Sequence, residues 1–246
     1  MFLGDGAELA LDRFTLTGPE GRHATTVRRL TVGERVDVTD GAGLLALCEV
    51  VGVRAGALDL VVQARHFEPE PPCRLIVVQA IMKGDRGELA VELMTEVGVD
   101  EIVPWAAERC VARWRPDRQE KALSRWQSTA REAAKQSRRA RFPVVAGQVQ
   151  TAELRKRVAG SAAALLLDPA AECTLASVAL PPEGEILVIV GPEGGFSEAE
   201  AADLAAAGAL PVRLGPSVLR GSTAGAVAGA LVLSASGRWD APPARD

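Results

Sequence analysis

Residues 185–197 read Glu-Ile-Leu-Val-Ile-Val-Gly-Pro-Glu-Gly-Gly-Phe-Ser, and this stretch decides the fold. Its residues 186–190 are an unbroken apolar run, which is typical of a strand buried on both faces of a parallel sheet. Two adjacent glycines then permit a tight loop. Ser197 and Glu200 form the S-x-x-E pattern of a capping box, so a helix is predicted to follow and to end near Gly208. A strand, a glycine loop and a helix N-terminus in this order mark the place where open α/β sheets bind ligands.

A second glycine loop follows the first. Residues 211–214 predict a short strand that enters Gly215, and a helix of very small residues is predicted from about 222 to 236. Neither loop carries the Lys-Ser/Thr pair of a P-loop or the G-x-G-x-x-G spacing of a dinucleotide-binding turn. The backbone amides of such loops could still hold a ligand without interference from bulky side chains.

The two loops together resemble a known motif pair. Gly-Pro-Glu-Gly-Gly-Phe-Ser at 191–197, followed by Leu-Gly-Pro-Ser-Val-Leu-Arg at 214–220, resembles the SPOUT superfamily of RNA methyltransferases. Within that superfamily, the chain is most similar to the family that methylates N3 of a uridine in 16S ribosomal RNA. Further matches lie at His23, 27–30, Gly33, 40–41, 83–86, 95–99, 102–105 and 108–111. One departure is that residues 221–224 read Gly-Ser-Thr-Ala where the family has Thr-Glu-Thr-Ala, which removes an acidic candidate there.

The resemblance implies an α/β protein with two domains. An N-terminal PUA-like β-barrel is expected over residues 1–68, where short alternating strands and hairpin-type turns are also indicated by the sequence. A proline-rich segment then acts as a stiff linker. A SPOUT α/β domain with a parallel sheet is expected over residues 73–240, with a C-terminal trefoil knot at about 162–236. Knots are so rare that only the resemblance supports this one.

The resemblance also implies that the knot loops bind S-adenosylmethionine. The residues expected to contact this cofactor are Leu166, Leu167, Gly191, Pro192, Glu193, Gly194, Gly195, Leu214, Gly215, Ser217, Val218, Leu219, Thr223 and Ala224.

Arg220 is the catalytic candidate. Uridine N3 carries a proton at neutral pH. Loss of this proton spreads negative charge over the two flanking carbonyl oxygens. A fixed cation would stabilise that charge as an oxyanion hole does. Arg220 stands at the end of the second loop, although it could instead pair with Glu193 or with a phosphate. The base that removes the proton could be Glu193 or Asp168, and the sequence does not choose between them.

Charge is strongly segregated along the chain. The net charge is −4, yet residues 109–141 hold eleven Lys or Arg against three acids, and such a basic stripe is typical of phosphate binding. The alternative is an ordinary solvated helix face. Three candidate RNA-binding residues, His23, Arg28 and Arg29, lie in the N-terminal part of the chain that matches the family. The other candidates are Lys83, Arg86, Arg109, Arg113, Arg118, Lys121 and Arg125.

The bulk composition favours a cytoplasmic globular protein. Cys48, Cys73, Cys110 and Cys173 lie far apart without a C-x-x-C pair and only two histidines are present, so no zinc or other metal site is expected. The N-terminus does not resemble a secretory signal, and no apolar run is long enough for a membrane span.

The sequence leaves three functions open. The favoured one is uridine-N3 methylation of 16S ribosomal RNA on the small ribosomal subunit by a homodimer. The second is ribose 2′-O-methylation by a member of the same superfamily, although the Asn-rich motif of that group is absent. The third is RNA binding without catalysis. The small-residue C-terminal helix could form the dimer interface or could simply be buried against the sheet.

Overall fold

The computed structural model describes residues 1–240, and the C-terminal tail, which the composition predicts to be disordered, lies outside the described residues. The chain divides into two compact units. Of the described residues, the first unit contains 1–70 together with 134–142, and the second contains 71–133 and 143–240.

The first unit is built on one five-stranded sheet. Its elements are β1 (Phe2–Leu3), α1 (Gly6–Leu9), β2 (Arg13–Leu16), α2 (Gly18–Arg22), β3 (Arg35–Thr39), β4 (Leu44–Arg54) and β5 (Ala57–Phe67). The strand order is β1-β3-β4-β5-β2, so the predicted barrel is realised as a sheet with β1 and β2 at its edges. Only the β1–β3 pair is parallel, and the others are antiparallel. Inward-facing side chains such as Leu58, Leu60 and Val38 form the core of this unit.

The segment 134–142 contributes to the first unit through side chains that the sequence did not single out. Lys135 Nζ lies 2.8 Å from Glu20 Oε1, and both side chains are mostly buried. Thr39 donates its hydroxyl hydrogen to the carbonyl oxygen of Ala140 at 2.8 Å. Part of the predicted basic stripe is therefore used inside this unit rather than left free.

The second unit is a parallel α/β sheet. Its elements are β6 (Cys73–Ala80), α3 (Arg86–Val97), β7 (Glu101–Trp105), α4 (Pro116–Gln136, whose last residues belong to the first unit), β8 (Val144–Val145), α5 (Thr151–Gly160), β9 (Ala163–Leu167), β10 (Gly184–Val190), α6 (Glu198–Ala206), β11 (Leu210–Val212) and α7 (Gly221–Ala235). The strand order is β11-β9-β10-β6-β7-β8, with every neighbouring pair parallel. The predicted β10, its capping box and the helix that follows are all confirmed.

Alternating side chains of β6 and β10 face two separate apolar cores, as strand geometry requires. On one face, Leu75 and Val188 pack with α3, α7 and Trp126 of α4. On the other face, Ile76 and Leu187 pack with α5 and α6. The continuous apolar run that predicted a doubly covered strand is therefore explained by helices on both faces.

Glycines bring α7 unusually close to the sheet and to α3. A Cβ atom on Gly225 would lie 2.8 Å from Met94 Sδ and 3.2 Å from Val77 Cγ1. One on Gly229 would lie 3.4 Å from Val99 Cγ2. Burial within the unit therefore accounts for the small residues of this helix.

Charged side chains at the amino-terminal edge of the sheet form a connected network. Glu101 at the start of β7 receives two hydrogen bonds of 2.7 Å from Arg157 of α5, and Arg74 of β6 lies 3.3 Å from the same carboxylate. Glu185 of β10 pairs with both arginines. The hydrogen bonds that Arg157 donates to Glu101 raise the pKa of Arg157 above its ordinary value.

We expect Glu101→Ala to lower the free energy of unfolding by about 2–3 kcal/mol, because it removes the more buried of the two carboxylates that Arg74 and Arg157 share. Urea denaturation followed by circular dichroism measures the change. Glu183→Ala, at an exposed position just before β10, is the control and should change the midpoint little. Equal midpoints for Glu101→Ala and wild type would show that the network does not stabilise the fold.

Candidate active site

A cavity of the second unit lies at the carboxyl ends of its strands. It has a volume of about 630 Å³ and is lined by the residues that follow β9, β10 and β11 and by the start of α7. Met82 and Arg86, beyond the end of β6, complete the wall. In a parallel sheet these strand ends meet at one edge, where ligand sites of α/β proteins form.

The loop after β10 takes its shape from two glycines and a phenylalanine. Gly195 has a φ of 70°, a left-handed conformation that glycine adopts without strain, and its N–H donates to the Pro192 carbonyl oxygen at 2.9 Å. A Cβ atom on Gly191 would lie 2.9 Å from the ring of Phe196. That ring stacks on Trp105 with a centroid distance of 5.9 Å. The loop is thus tied to the core beneath it.

The loops after β9 and β11 hold each other. The N–H of Asp168 donates to the Val212 carbonyl oxygen at 2.9 Å, and the Asp168 carboxylate accepts the N–H of Ala170 at 2.8 Å. Arg213 donates from its guanidinium to the carbonyl oxygens of Ala171, at 2.8 Å, and Glu172. Both loops are therefore fixed at the cavity wall by hydrogen bonds to the main chain.

Eleven of the fourteen predicted cofactor residues line this cavity. The lining members are Leu167, Gly191, Pro192, Glu193, Gly195, Leu214, Gly215, Ser217, Val218, Leu219 and Ala224. The other three, Leu166, Gly194 and Thr223, do not line it. Leu166 points into the core on the α5 and α6 face of the sheet, and a Cβ atom on Gly194 would meet Arg109.

Arg220 lines the cavity at the N-terminus of α7. Its carbonyl oxygen accepts the N–H groups of Thr223 and Ala224 at 2.9 Å, while its side chain is exposed. Within residues 1–240, this guanidinium forms no ion pair with Glu193 or with any other acid. The alternative in which Arg220 pairs with Glu193 is therefore not what the structure contains.

Glu193 is paired instead with Arg86. The distance between Arg86 Nη1 and Glu193 Oε1 is 3.5 Å. A second cavity adjoins the first and is lined by Lys83, Gly84, Asp85, Arg86, Leu89, Val111 and Glu193. Arg86 and Glu193 thus belong to the walls of both cavities.

A buried carboxylate that the sequence identified only as a capping residue also organises the site. Glu200 is 5% exposed and accepts hydrogen bonds from Glu108 N at 2.8 Å and from Thr151 Oγ1 at 3.0 Å, besides the capping interaction with Ser197. Arg109, next in the chain, donates to the Phe196 carbonyl oxygen at 3.0 Å. Glu200 therefore joins the 108–109 segment to the glycine loop, a link that no spacing in the sequence could reveal.

The structure distributes the predicted RNA-binding residues over both units. His23, Arg28 and Arg29 are exposed in the first unit, in and just after a π-helical turn. In the second unit, Arg113 donates to the Glu108 carbonyl oxygen at 3.3 Å, while Lys83 and Arg86 line the second cavity. The candidates are therefore divided between the two units.

The predicted basic face of α4 is exposed. The Arg118 guanidinium lies 3.7 Å from the carboxylate of its neighbour Asp117, and that of Arg125 lies 3.9 Å from Glu88. Lys121 between them is also exposed. Trp126, Ala130 and Ala133 form the buried side of the helix.

The described residues contain neither a metal-binding cluster nor a membrane-spanning helix. Among residues 1–240, no three His, Cys, Asp or Glu side chains come together as a metal site would require. In the same part of the chain, no helix is both long and apolar enough to cross a membrane.

Comparisons with known proteins assign the family. The model of the RNA methyltransferase domain matches residues 69–233, and that of the RNA methyltransferase PUA domain matches residues 16–63. Ribosomal RNA small subunit methyltransferase E of Mycobacterium bovis is 46% identical over 228 residues, which cover 91% of this chain and 87% of the relative. The protein of the same name from Bacillus subtilis is 30% identical, with 86% of each chain covered.

Solved structures agree with this assignment. A ribosomal RNA small subunit methyltransferase E from Neisseria gonorrhoeae, bound to S-adenosylmethionine, superposes with a TM-score of 0.79 at 26% identity, covering 90% of this chain and 91% of that one. A methyltransferase from Legionella pneumophila, also with bound S-adenosylmethionine, gives a TM-score of 0.80 at 28% identity, with 91% and 92% covered. The PUA-like and SPOUT-type α/β folds expected from the sequence are thereby confirmed. The chain belongs to the ribosomal RNA small subunit methyltransferase E family of RNA methyltransferases.

Proposed function

We propose that this protein transfers a methyl group from S-adenosylmethionine to N3 of a uridine in 16S ribosomal RNA. The observation that carries the proposal is the cavity at the carboxyl ends of β9, β10 and β11, with an unpaired Arg220 in its wall. The family relationship supplies the reaction class and the small-subunit RNA as substrate, while the N3 position rests on the sequence resemblance.

The cavity is suited to S-adenosylmethionine in size and chemistry. Its volume of about 630 Å³ lies within the range of small-molecule sites. Its wall is largely main chain and apolar side chain, including Gly215, whose added Cβ atom would meet nothing within 4 Å. We infer that the residues after β10 and β11 hold the cofactor through their backbone groups. When bound there, S-adenosylmethionine supplies the methyl group.

The side chains of the site then position and polarise the acceptor. Loss of the N3 proton leaves negative charge on the two uracil carbonyl oxygens, and a planar guanidinium can donate to both. Arg220 is the cation we assign to this role, because its side chain is exposed at the cavity wall and is not engaged by an acid. Most of the remaining catalysis is accurate placement of the reactants.

We propose that RNA is held by basic side chains of both units. The exposed face of α4 supplies Arg118, Lys121 and Arg125, and the N-terminal unit supplies His23, Arg28 and Arg29. In this scheme residues 1–68 form an RNA-binding domain and residues 73–240 form the methyltransferase domain. Separate phosphate contacts on two domains favour a large RNA surface such as the small ribosomal subunit.

Three further properties are proposed from the family resemblance alone. The chain at about 162–236 is expected to be threaded as a trefoil knot around the cofactor. The protein is expected to act as a homodimer, and α7 is too deeply buried in its own unit to supply most of the interface. The enzyme is expected to work in the cytoplasm, where its substrate is assembled.

The direct test is to incubate the purified protein with small ribosomal subunits and methyl-labelled S-adenosylmethionine, and to identify the labelled nucleoside by mass spectrometry. N3-methyluridine supports the proposal. A 2′-O-methylated nucleoside would favour the ribose methyltransferase, and RNA binding without any label would favour the non-catalytic protein.

Gly215→Val should reduce S-adenosylmethionine affinity at least tenfold, because the new side chain occupies the cavity without clashing with the protein. Titration calorimetry measures the affinity. Gly147→Val is the matched control, since Gly147 is exposed and an added Cβ atom there also meets nothing within 4 Å. Wild-type affinity in Gly215→Val would remove the loop after β11 from the cofactor site.

Changing Arg118, Lys121 and Arg125 together to Glu should weaken RNA binding and leave cofactor affinity unchanged. Each lost phosphate contact should flatten the log–log dependence of RNA affinity on salt by about one unit. The control changes Arg155 and Lys156 to Glu, because both are exposed on α5, on the other face of the sheet. A wild-type salt slope in the triple variant would mean that this face of α4 is only solvated.

Arg220→Ala should lower the single-turnover methylation rate about 10²-fold with little change in cofactor affinity, because it removes charge stabilisation from the acceptor. Arg220→Lys should recover only part of the rate, since an ammonium group cannot span two oxygens. If the Ala variant instead loses cofactor binding and reacts normally at saturation, Arg220 is a binding residue.

A further inference from the structure

Two residues, Arg86 and Glu193, line both the cofactor cavity and the second cavity beside it. Their side chains form an ion pair with Nη1 and Oε1 3.5 Å apart. Methyl transfer requires contact between the methyl donor and the acceptor base. If each molecule occupies one of the two cavities, a side chain that lines both cavities lies close to the reacting atoms of both molecules. The pair therefore occupies the position that a proton acceptor for this reaction requires.

The other acids near the two cavities do not meet this condition. Asp168 and Glu198 line only the cofactor cavity, and Asp85 lines only the second one. The Asp168 carboxylate is also engaged by the N–H of Ala170 at 2.8 Å. Among the described residues, Glu193 is thus the one acid common to both walls.

The second cavity has the chemistry of a site for a nucleobase taken out of its stack. Leu89 and Val111 are 44% and 69% exposed, respectively, and provide apolar contact for a flat ring. Lys83 lies in the same wall and can pair with the phosphate of the extruded nucleotide. Enzymes that modify a base bind it in such a pocket after rotating it out of the RNA.

We propose that Glu193 is the general base of the reaction, a proposal that rests on the proposed function. The N3–H bond breaks as the proton passes to a carboxylate oxygen of Glu193. The electron pair of N3 forms the new bond to the methyl carbon, and the electrons of the broken sulfur–carbon bond remain on sulfur. The products are N3-methyluridine, S-adenosylhomocysteine and a protonated Glu193, which returns its proton to water.

Arg86 positions this base. It is the first residue of α3, and its guanidinium Nη1 lies 3.5 Å from Oε1 of the Glu193 carboxylate. This contact holds the carboxylate in place in the wall that the two cavities share. Arg220, at the start of α7, is then free to stabilise the charge that remains on the uracil oxygens.

The test compares the pH dependence of single-turnover rates at saturating S-adenosylmethionine. Glu193→Gln should lower the methylation rate about 10²-fold at neutral pH. As the pH is raised, the rate of this variant should increase roughly tenfold per pH unit, while the wild-type rate changes little. The reason is that the variant can react only with uridine that has already lost its proton to solvent. Calorimetry and filter binding should show cofactor and RNA affinities close to wild type.

Two variants serve as controls. Glu193→Asp keeps a carboxylate, so it should retain the flat pH profile of the wild type at a reduced rate. Glu183→Gln makes the same chemical change at an exposed position at the other end of β10 and should behave as wild type.

Three results would overturn the assignment of Glu193 as the base. The first is a pH–rate profile of Glu193→Gln parallel to that of the wild type, and the second is loss of cofactor binding in that variant. The third is a methylation rate that rises with pH in Asp168→Asn instead. A wild-type protein that makes no N3-methyluridine would overturn the proposed function and this inference together. A wild type that makes it, combined with a parallel profile, would overturn the base assignment alone.

Discussion

The parallel pairing of β10 with β9 on one side and β6 on the other is the constraint on which the second unit depends. Each pairing places the carboxyl ends of the strands at the same edge of the sheet. Helices cover both faces, so the apolar residues of β10 are buried and the strand meets the cavity at its carboxyl end. The glycine loop begins there, at Gly191.

The two edges of this sheet carry opposite electrostatic arrangements. At the amino-terminal edge, Glu101 and Glu185 are neutralised by Arg74 and Arg157, so the charges stabilise structure and are not available to a ligand. At the carboxyl edge, Arg220 is exposed without an acid partner. The stabilising ion pairs and the catalytic candidate thus lie at opposite ends of the sheet. A substitution at one end need not disturb the other.

Glycines of α7 allow this helix to pack closely on the core and thereby fix the position of the cavity wall at its N-terminus. Gly225 allows α7 to lie against Val77 and Met94, and Gly221 allows its N-terminus to lie near Met82 and the carbonyl oxygen of Gly191. A bulkier residue at either position would move the helix outward, together with Arg220 at its N-cap. The catalytic candidate is therefore positioned by packing of the helix that follows it, which is a reason for the very small side chains of α7.

The sequence by itself determined the strand–loop–helix order, the capping box and the doubly covered sheet, because apolar runs and glycine patterns report local structure and burial directly. Its motif pair also indicated the family. Most of the cavity wall was expected from the family resemblance of these motifs. Only the tertiary structure decided that Glu193 pairs with Arg86 rather than Arg220, that Glu200 supports the 108–109 segment, and that α7 is buried in its own unit. These contacts join residues from about ninety to more than a hundred positions apart, and no local pattern records which distant side chains the sheet will bring together.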